Sequence, residues 1–360
     1  MSPRAGTRLP SLDGWRAVSI TLVLGAHCIG KAGFPKAWEN GFTWLFDGNL
    51  GVRFFFVLSG FLISWLLLGE SDARHAISFK DFYLRRAIRI LPVYGMFLVA
   101  LGLLGCFTVY HTTTTEWITN LTFTRNFIFG GPASRHLWSL SVEEQFYLLW
   151  PALFVLSGYG RRWWLTLLVL GGPMLIAPLA RVIAYLHPHF AWPLFTTLST
   201  LNYFDSLAYG CAGAICLSRA PEAVGRWVAN SWMTALAVAA IALPYVLTHK
   251  ERFGLFTVPL GPMLQGLAFT FLLIKSVLNP RGIFSVLNWA WVKWLGVLSY
   301  SIYIWQQLFY SDAKDLGWPE SVWFLRFPGW LLAAVLTATL SYYLLEKPLL
   351  KLRARLRPKV

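Results

Sequence analysis

Arg16 and His27 stand eleven residues apart in the apolar stretch GWRAVSITLVLGAHC. On a helix this spacing returns to one face within roughly 20° and separates the two side chains by about 16 Å along the axis. A helix that only anchored the chain in lipid would need neither residue. Ionisable side chains at membrane depth face a protein interior or a water-filled cavity, and they mark functional sites. The plainer reading is an arginine that snorkels to the headgroups and a neutral, hydrogen-bonded core histidine.

Three further stretches carry chemistry. In HLWSLSVEEQFYLLWP, from His136 to Pro151, Glu143 lies about 7–8 Å below the start of an inward-running helix. That depth is comparable with the depth of His27. A carboxylate level with an imidazole in low dielectric forms an acid/base pair, because it favours the imidazolium and orients the ring tautomer. Glu144 points about 100° away and cannot play the same part. The alternative for one glutamate is a structural ion pair with Arg53 or Arg135.

In SFKDFYLRRAIRILPVY, from Ser78 to Tyr94, Ser78 and Asp81 have the spacing of a capping box. They predict a helix starting along the inner membrane surface, and Pro92 permits a bend into the bilayer. Arg85 and Arg89 share a helix face, with Arg86 on the flank. Such a guanidinium cluster fits phosphate oxygens bidentately. Topology and anionic lipid supply the plainer account. In GVRFFFVLSGFLISWLL, Gly51 and Gly60 bracket an aromatic triplet and Ser59 precedes the second glycine. Small residues let helices approach closely. No G-x-S-x-G elbow of a serine hydrolase is present.

The elements that position these residues follow from composition. Of 360 residues, 56% are hydrophobic and 13% charged, with 19 Trp. Soluble domains run near 45–50% and about 25%, and Trp suits membrane interfaces. The chain therefore reads as all-α, a polytopic integral membrane protein forming a single domain over residues 1–360. Ten spans are predicted, at about 15–30, 50–69, 88–107, 138–158, 163–186, 202–218, 227–248, 255–275, 290–310 and 326–346, each near the ~20 residues a bilayer requires. With both termini cytoplasmic, the inner loops and tails hold most of the 31 Lys and Arg, including the basic tail 347–360. The positive-inside rule thus accounts for the net charge of +15 without a nucleic-acid partner.

The N-terminal stretch lacks an A-x-A cleavage site, and Asp13 and Arg16 interrupt its approach, so it is expected to stay in the mature protein. The four cysteines (Cys28, Cys106, Cys211, Cys216) lie in or beside apolar segments. They read as buried small hydrophobes, and no metal site is expected. The outer connection from Thr108 to His136, with its run HTTTTEW, reads as polar loop.

Together the four stretches resemble the family-3 membrane acyltransferases, which O-acylate sugars and other acceptors. Arg16 and His27 reproduce the family's Arg-x10-His signature. GVRFFFVLSGFLISWLL is similar to its glycine–aromatic–serine helix, RRAIRILPVY to its basic motif at the third span, and LWSLSVEEQFYLLWP to its WSL-x-x-E motif. LGVLSYSIYIWQQ, Leu295 to Gln307, is similar to the ninth-span pattern. Many members carry a histidine where Gln306 follows YIW, and Gln306 is assigned no chemistry here. No fused esterase domain of the SGNH type follows the last span, so transfer to the acceptor, or to a separate acyl-accepting protein, is expected of this chain itself.

The resemblance implies a transferase that moves an acyl group, acetyl above all, from cytoplasmic acyl-CoA to a hydroxyl of a carbohydrate or glycoside, toward the outer side of a bacterial inner membrane. The nucleotide would dock on Arg85, Arg86 and Arg89, with Arg16 nearer the thioester. His27 would take the proton of the acceptor hydroxyl, or form an acyl-histidine, while Glu143 holds the imidazole. Ser59, Trp138 and Ser139 would line the site. A proton-coupled transporter using Arg16, His27 and Glu143 as a relay is the rival; it has no need of the Arg85–Arg89 cluster. A non-catalytic assembly subunit is a third reading.

Overall fold

The structure, a computed structural model, describes residues 9–128, 131–187 and 200–355. The ends of the chain, including the last residues of the basic tail, lie outside the described residues. Every regular element among the described residues is helical. In chain order they are α1 (Leu12–Cys28), α2 (Lys36–Leu45), α3 (Gly48–Arg74), α4 (Phe79–Phe107), α5 (Thr114–Leu121), α6 (Leu137–Leu156), α7 (Trp163–Leu186) and α8 (Phe204–Arg219). There follow α9 (Pro221–Ala229), α10 (Ser231–His249), α11 (Gly254–Thr257), α12 (Leu260–Leu278), α13 (Ala290–Tyr310), α14 (Ala313–Leu316), α15 (Gly329–Ser341) and α16 (Lys347–Arg355).

A helix stands at each of the ten expected spans. Six segments are long and apolar enough to cross a membrane: Lys36–Arg74, Phe79–Phe107, Trp163–Leu186, Ser231–His249, Leu260–Leu278 and Gly329–Lys351. The other four positions fail for physical reasons. α1 and α8 have 17 and 16 residues, short of a full span. α6 and α13 are long enough, but Glu143, Glu144 and Gln145 on one and Lys293, Gln306 and Gln307 on the other dilute their apolarity.

The described residues divide into two compact units. The first takes residues up to Arg16, Val52–Ile77 and Ser141–Lys293; the second takes Ala17–Gly51, Ser78–Leu140 and the residues from Trp294 onward. In the first unit α7 packs on α8, α8 on α12 and α12 on α10. Lipid-type side chains such as Leu168, Leu175, Leu179 and Leu236 are exposed on these helices. Inside, Arg181 donates to Asp205 Oδ2 at 2.6 Å and to the carbonyls of Asn202 and Pro259 at 2.8 and 3.1 Å. A buried charge needs such partners, or its desolvation is not offset. α3 joins α6 through Trp150 Nε1, which donates to Ser64 Oγ at 2.9 Å.

In the second unit α4 begins where its cap predicts: Ser78 Oγ accepts from Asp81 N at 3.2 Å. The helix then runs unbroken through Pro92 for 29 residues, so the expected surface helix and span are one element. Tyr300 of α13 donates to the Ile90 carbonyl of α4 at 3.0 Å, and α16 packs on α4. The outer connection is more ordered than a polar loop. Thr113 and Glu116 form a reciprocal capping box for α5, and buried Glu116 pairs with Arg125 at 3.2 Å. Burial, then Glu116, pushes the Tyr110 phenol up to about 12. Of the cysteines, Cys28 and Cys211 are buried, Cys216 is half-buried, and Cys106 is exposed against the expectation.

In the first unit α3 and α8 approach closely at two glycines. A Cβ on Gly60 would stand 2.0 Å from the Leu207 carbonyl oxygen, and one on Gly210 would stand 2.0 Å from that of Val57. Backbone meets backbone there, which only glycine on both helices allows. Gly60→Ala and Gly210→Ala are therefore expected to cost about 1–3 kcal/mol each by forcing the helices apart. Gly171→Ala, where nothing lies within 4 Å of the new Cβ, serves as control. Thermal melts in detergent check this, and equal melting points for all three variants would refute the close-packing argument.

Candidate active site

His27 occupies the last turn of α1, half-buried. Its Nδ1 lies 3.1 Å from Gln306 Oε1 of α13. That is its one hydrogen bond among the described residues, so Nε2 carries none. The ring stacks on Tyr310, with centroids 4.4 Å apart and planes inclined by 22°. Lys31, one turn on, places its ammonium 4.8 Å from the same Tyr310 ring, donates to the Tyr310 carbonyl and pairs with Asp312 at 2.8 Å. Gly25 makes room: a Cβ there would meet the Phe46 ring at 2.2 Å. The imidazole is thus anchored at one nitrogen and one face, and open at the nitrogen that could move a proton.

A second imidazole belongs to the same neighbourhood. His136 precedes α6 and is buried, with the Ile304 backbone of α13 acting on its ring. Phe97 and Tyr303 flank its ring at 5.3 and 5.5 Å. Tyr303 donates to the His136 carbonyl at 3.0 Å, and the hydroxyls of Tyr303 and Ser139 meet at 2.5 Å. Burial first, and the charge of His27 second, hold the His136 imidazole down at about 3. Tyr303, Gln306 and Tyr310 recur at helical spacing on α13, so one stripe serves both histidines.

The predicted site residues divide between the units. His27, Arg85, Arg86, Arg89, Trp138 and Ser139 belong to the second unit; Arg16, Ser59 and Glu143 belong to the first. Arg16 pairs with Asp13 at 3.2 Å. Ser59 Oγ is bonded to the Tyr147 hydroxyl, and Arg53 lies over the Tyr203 ring at 5.0 Å. Trp138 and Ser139 are buried at the start of α6. Arg85, Arg86 and Arg89 are half-buried on α4, and the Arg89 charge acts on buried Glu346, which also accepts from Ser301. Tyr300, bonded beside Arg89 at Ile90, and Gln306, bonded to His27, are six residues apart on α13, a rise of about 9 Å. Among the described residues no group of His, Cys, Asp and Glu is disposed to hold a metal ion.

Sequence reasoning passed over Gln306, Tyr310, Lys31 and His136. The signal for the first two was a polar stripe at i, i+3 and i+7 in an otherwise apolar helix. Nothing local marks Lys31 or His136.

The model of the acyltransferase domain of family 3 matches residues 9–346. The putative peptidoglycan O-acetyltransferase YrhL of Bacillus subtilis is 28% identical over 367 residues, 95% of this chain and 55% of its own length. The peptidoglycan O-acetyltransferase OatA of Listeria monocytogenes is 28% identical over 371 residues, 95% of this chain and 56% of its own. The chain spans little more than half the length of these relatives. No solved structure matches it.

His136 sets a pH dependence. Its folded-state value of about 3 lies below the ordinary 6.5, so between those values the unfolded chain binds a proton that the folded chain does not. The stabilisation is complete above the ordinary value and is lost as pH falls toward the folded one. Wild type is expected to lose more stability between pH 7 and 4 than His136→Asn. Thermal melts at both pH values check it; parallel losses would show that His136 is not held neutral.

Proposed function

The chain belongs to acyltransferase family 3, and from that premise we propose that it is an integral membrane O-acetyltransferase. It takes an acetyl group from cytoplasmic acetyl-CoA and passes it to a hydroxyl of a cell-wall glycan, peptidoglycan being the acceptor class that its relatives' names indicate. The chain acts as one integral domain of a bacterial inner membrane, with both termini cytoplasmic and the acceptor on the outer side. The observation that carries the reading is the His27 ring, fixed through Nδ1 with Nε2 unengaged.

The mechanism follows from the groups in place. Arg85, Arg86 and Arg89 bind the anionic nucleotide of the donor; guanidinium forks match phosphate oxygens. The pantetheine arm brings the thioester toward His27. His27 Nε2 takes the proton as the acceptor oxygen attacks the acyl carbon, and the imidazolium returns it to the departing CoA sulfur. Glu143 is assigned the support of the imidazolium and Arg16 contact with the donor; Ser59, Trp138 and Ser139 are assigned the lining of the site.

The test uses protein in nanodiscs with radiolabelled acetyl-CoA and soluble peptidoglycan fragments. His27→Ala is expected to lower CoA release about 10²–10⁴-fold. Arg85→Ala/Arg89→Ala should raise KM for acetyl-CoA at least about tenfold with kcat less affected. Label retained on wild type and lost from His27→Ala would replace the base by an acyl-histidine. No acetyl-CoA binding at all would sink the proposal in favour of the proton-coupled transporter.

A further inference from the structure

Resting on the reading of His27 as proton acceptor, we infer that Gln306 completes the active site with both ends of one carboxamide. Its Oε1 fixes the imidazole in the tautomer that keeps the proton on Nδ1. Its Nε2 donates to the acyl carbonyl oxygen as that oxygen gains negative charge. Gln306 is a positioning residue through the first atom and a catalytic residue through the second.

A carboxamide carries one acceptor and two N–H donors. The acceptor is committed, 3.1 Å from His27 Nδ1. The donor end is buried without a hydrogen-bond partner among the described residues, on a side chain that is 0% exposed. Buried donors left unpaired are costly and call for an explanation. A ligand oxygen supplies one here, because this donor stands beside the imidazole and is held by the same side chain. Fixed donors aimed where charge develops lower a barrier without reorganising. The opposite amide orientation would point an N–H at Nδ1 and leave the ring proton on Nε2, so His27 could accept nothing.

The step balances. The acceptor oxygen bonds to the acyl carbon and its proton passes to His27 Nε2. The carbonyl pair moves onto oxygen, where the Gln306 amide binds it. When the pair returns, the C–S bond breaks and the CoA sulfur takes the proton from the imidazolium. Throughout, Nδ1 keeps its proton and donates it to Oε1, so the ring does not turn between accepting and donating.

Two variants separate the atoms. Gln306→Glu keeps an acceptor for Nδ1–H and removes the donor; because its carboxylate also favours the imidazolium, kcat is compared on the high-pH plateau of each variant's pH profile. Gln306→Leu removes both. With acetyl-CoA and soluble peptidoglycan fragments, Gln306→Glu is expected to lower kcat about 10²–10³-fold, with KM for acetyl-CoA within about threefold. Gln306→Leu should lower kcat further. A Gln306→Glu variant with wild-type kcat would overturn the donor role. Histidine-15N NMR of the whole protein, with the His27 signals assigned by their loss in His27→Ala, reads the tautomer without turnover. A protonated Nδ1 in wild type that becomes a tautomer mixture in Gln306→Leu is the expected result; a protonated Nε2 in wild type would overturn the positioning role. If His27→Ala itself turns over like wild type, the acyltransfer reading fails, whereas an inert His27→Ala beside fully active Gln306 variants removes only this inference.

Discussion

The hydrogen bond between His27 Nδ1 and Gln306 Oε1 joins two helices whose partners are 279 residues apart in sequence. An imidazole in a low-dielectric interior has two polar nitrogens to satisfy, and leaving either bare costs free energy. Here one nitrogen is met by a neutral amide and one ring face by Tyr310. Much of the second unit is arranged around that bond. Gly25 lets Phe46 lie against α1 just before the histidine, and Lys31 closes the helix end onto the backbone of α13. A neutral partner matters, because a carboxylate at Nδ1 would pull the ring toward the imidazolium. An amide orients the ring and leaves its basicity closer to its own.

The same economy governs the rest of the chain. Two buried ion pairs stand among the described residues. They are Arg181 with Asp205, and Arg125 with Glu116, their guanidiniums also donating to backbone carbonyls. Such pairs contribute less to stability than to a defined arrangement, since desolvation consumes most of the attraction. Apolar helices α7 and α10 turn leucines outward, while helix contacts inside use glycine. In a lipid setting close packing must replace the hydrophobic drive that water supplies to soluble proteins.

Local signals made part of this legible from sequence. Helix positions follow from apolar length, which is why a helix occurs at each expected span. The α4 start follows from Ser78 and Asp81, whose cap is a two-residue device. Arg16 and His27 are legible because charge inside an apolar run is costly. Thr113 and Glu116 also had the spacing of a capping box, hidden in a threonine run that looked like loop. Gln306 shows a polar stripe on its helix but not its partner. A glutamine in an apolar helix has no meaning until a distant residue is placed against it, and that placement is tertiary. His136 and Lys31 are cases of the same kind, as their partners lie on α13 and just beyond it.

That dependence on α13 bears on how a donor reaching the basic cluster could meet the base. α4 carries the arginines and is tied to α13 where Tyr300 donates to Ile90, the residue after Arg89. Six residues further along α13, Gln306 holds His27. One rigid helix therefore sets the two levels about 9 Å apart along its axis. The Arg89 charge also acts on Glu346, which is buried and bonded to Ser301 of the same α13. Arginines fixed to the helix that fixes the base would define where a phosphate-anchored donor begins and where its reactive end arrives, and a set distance of that kind is what an effective intramolecular encounter requires.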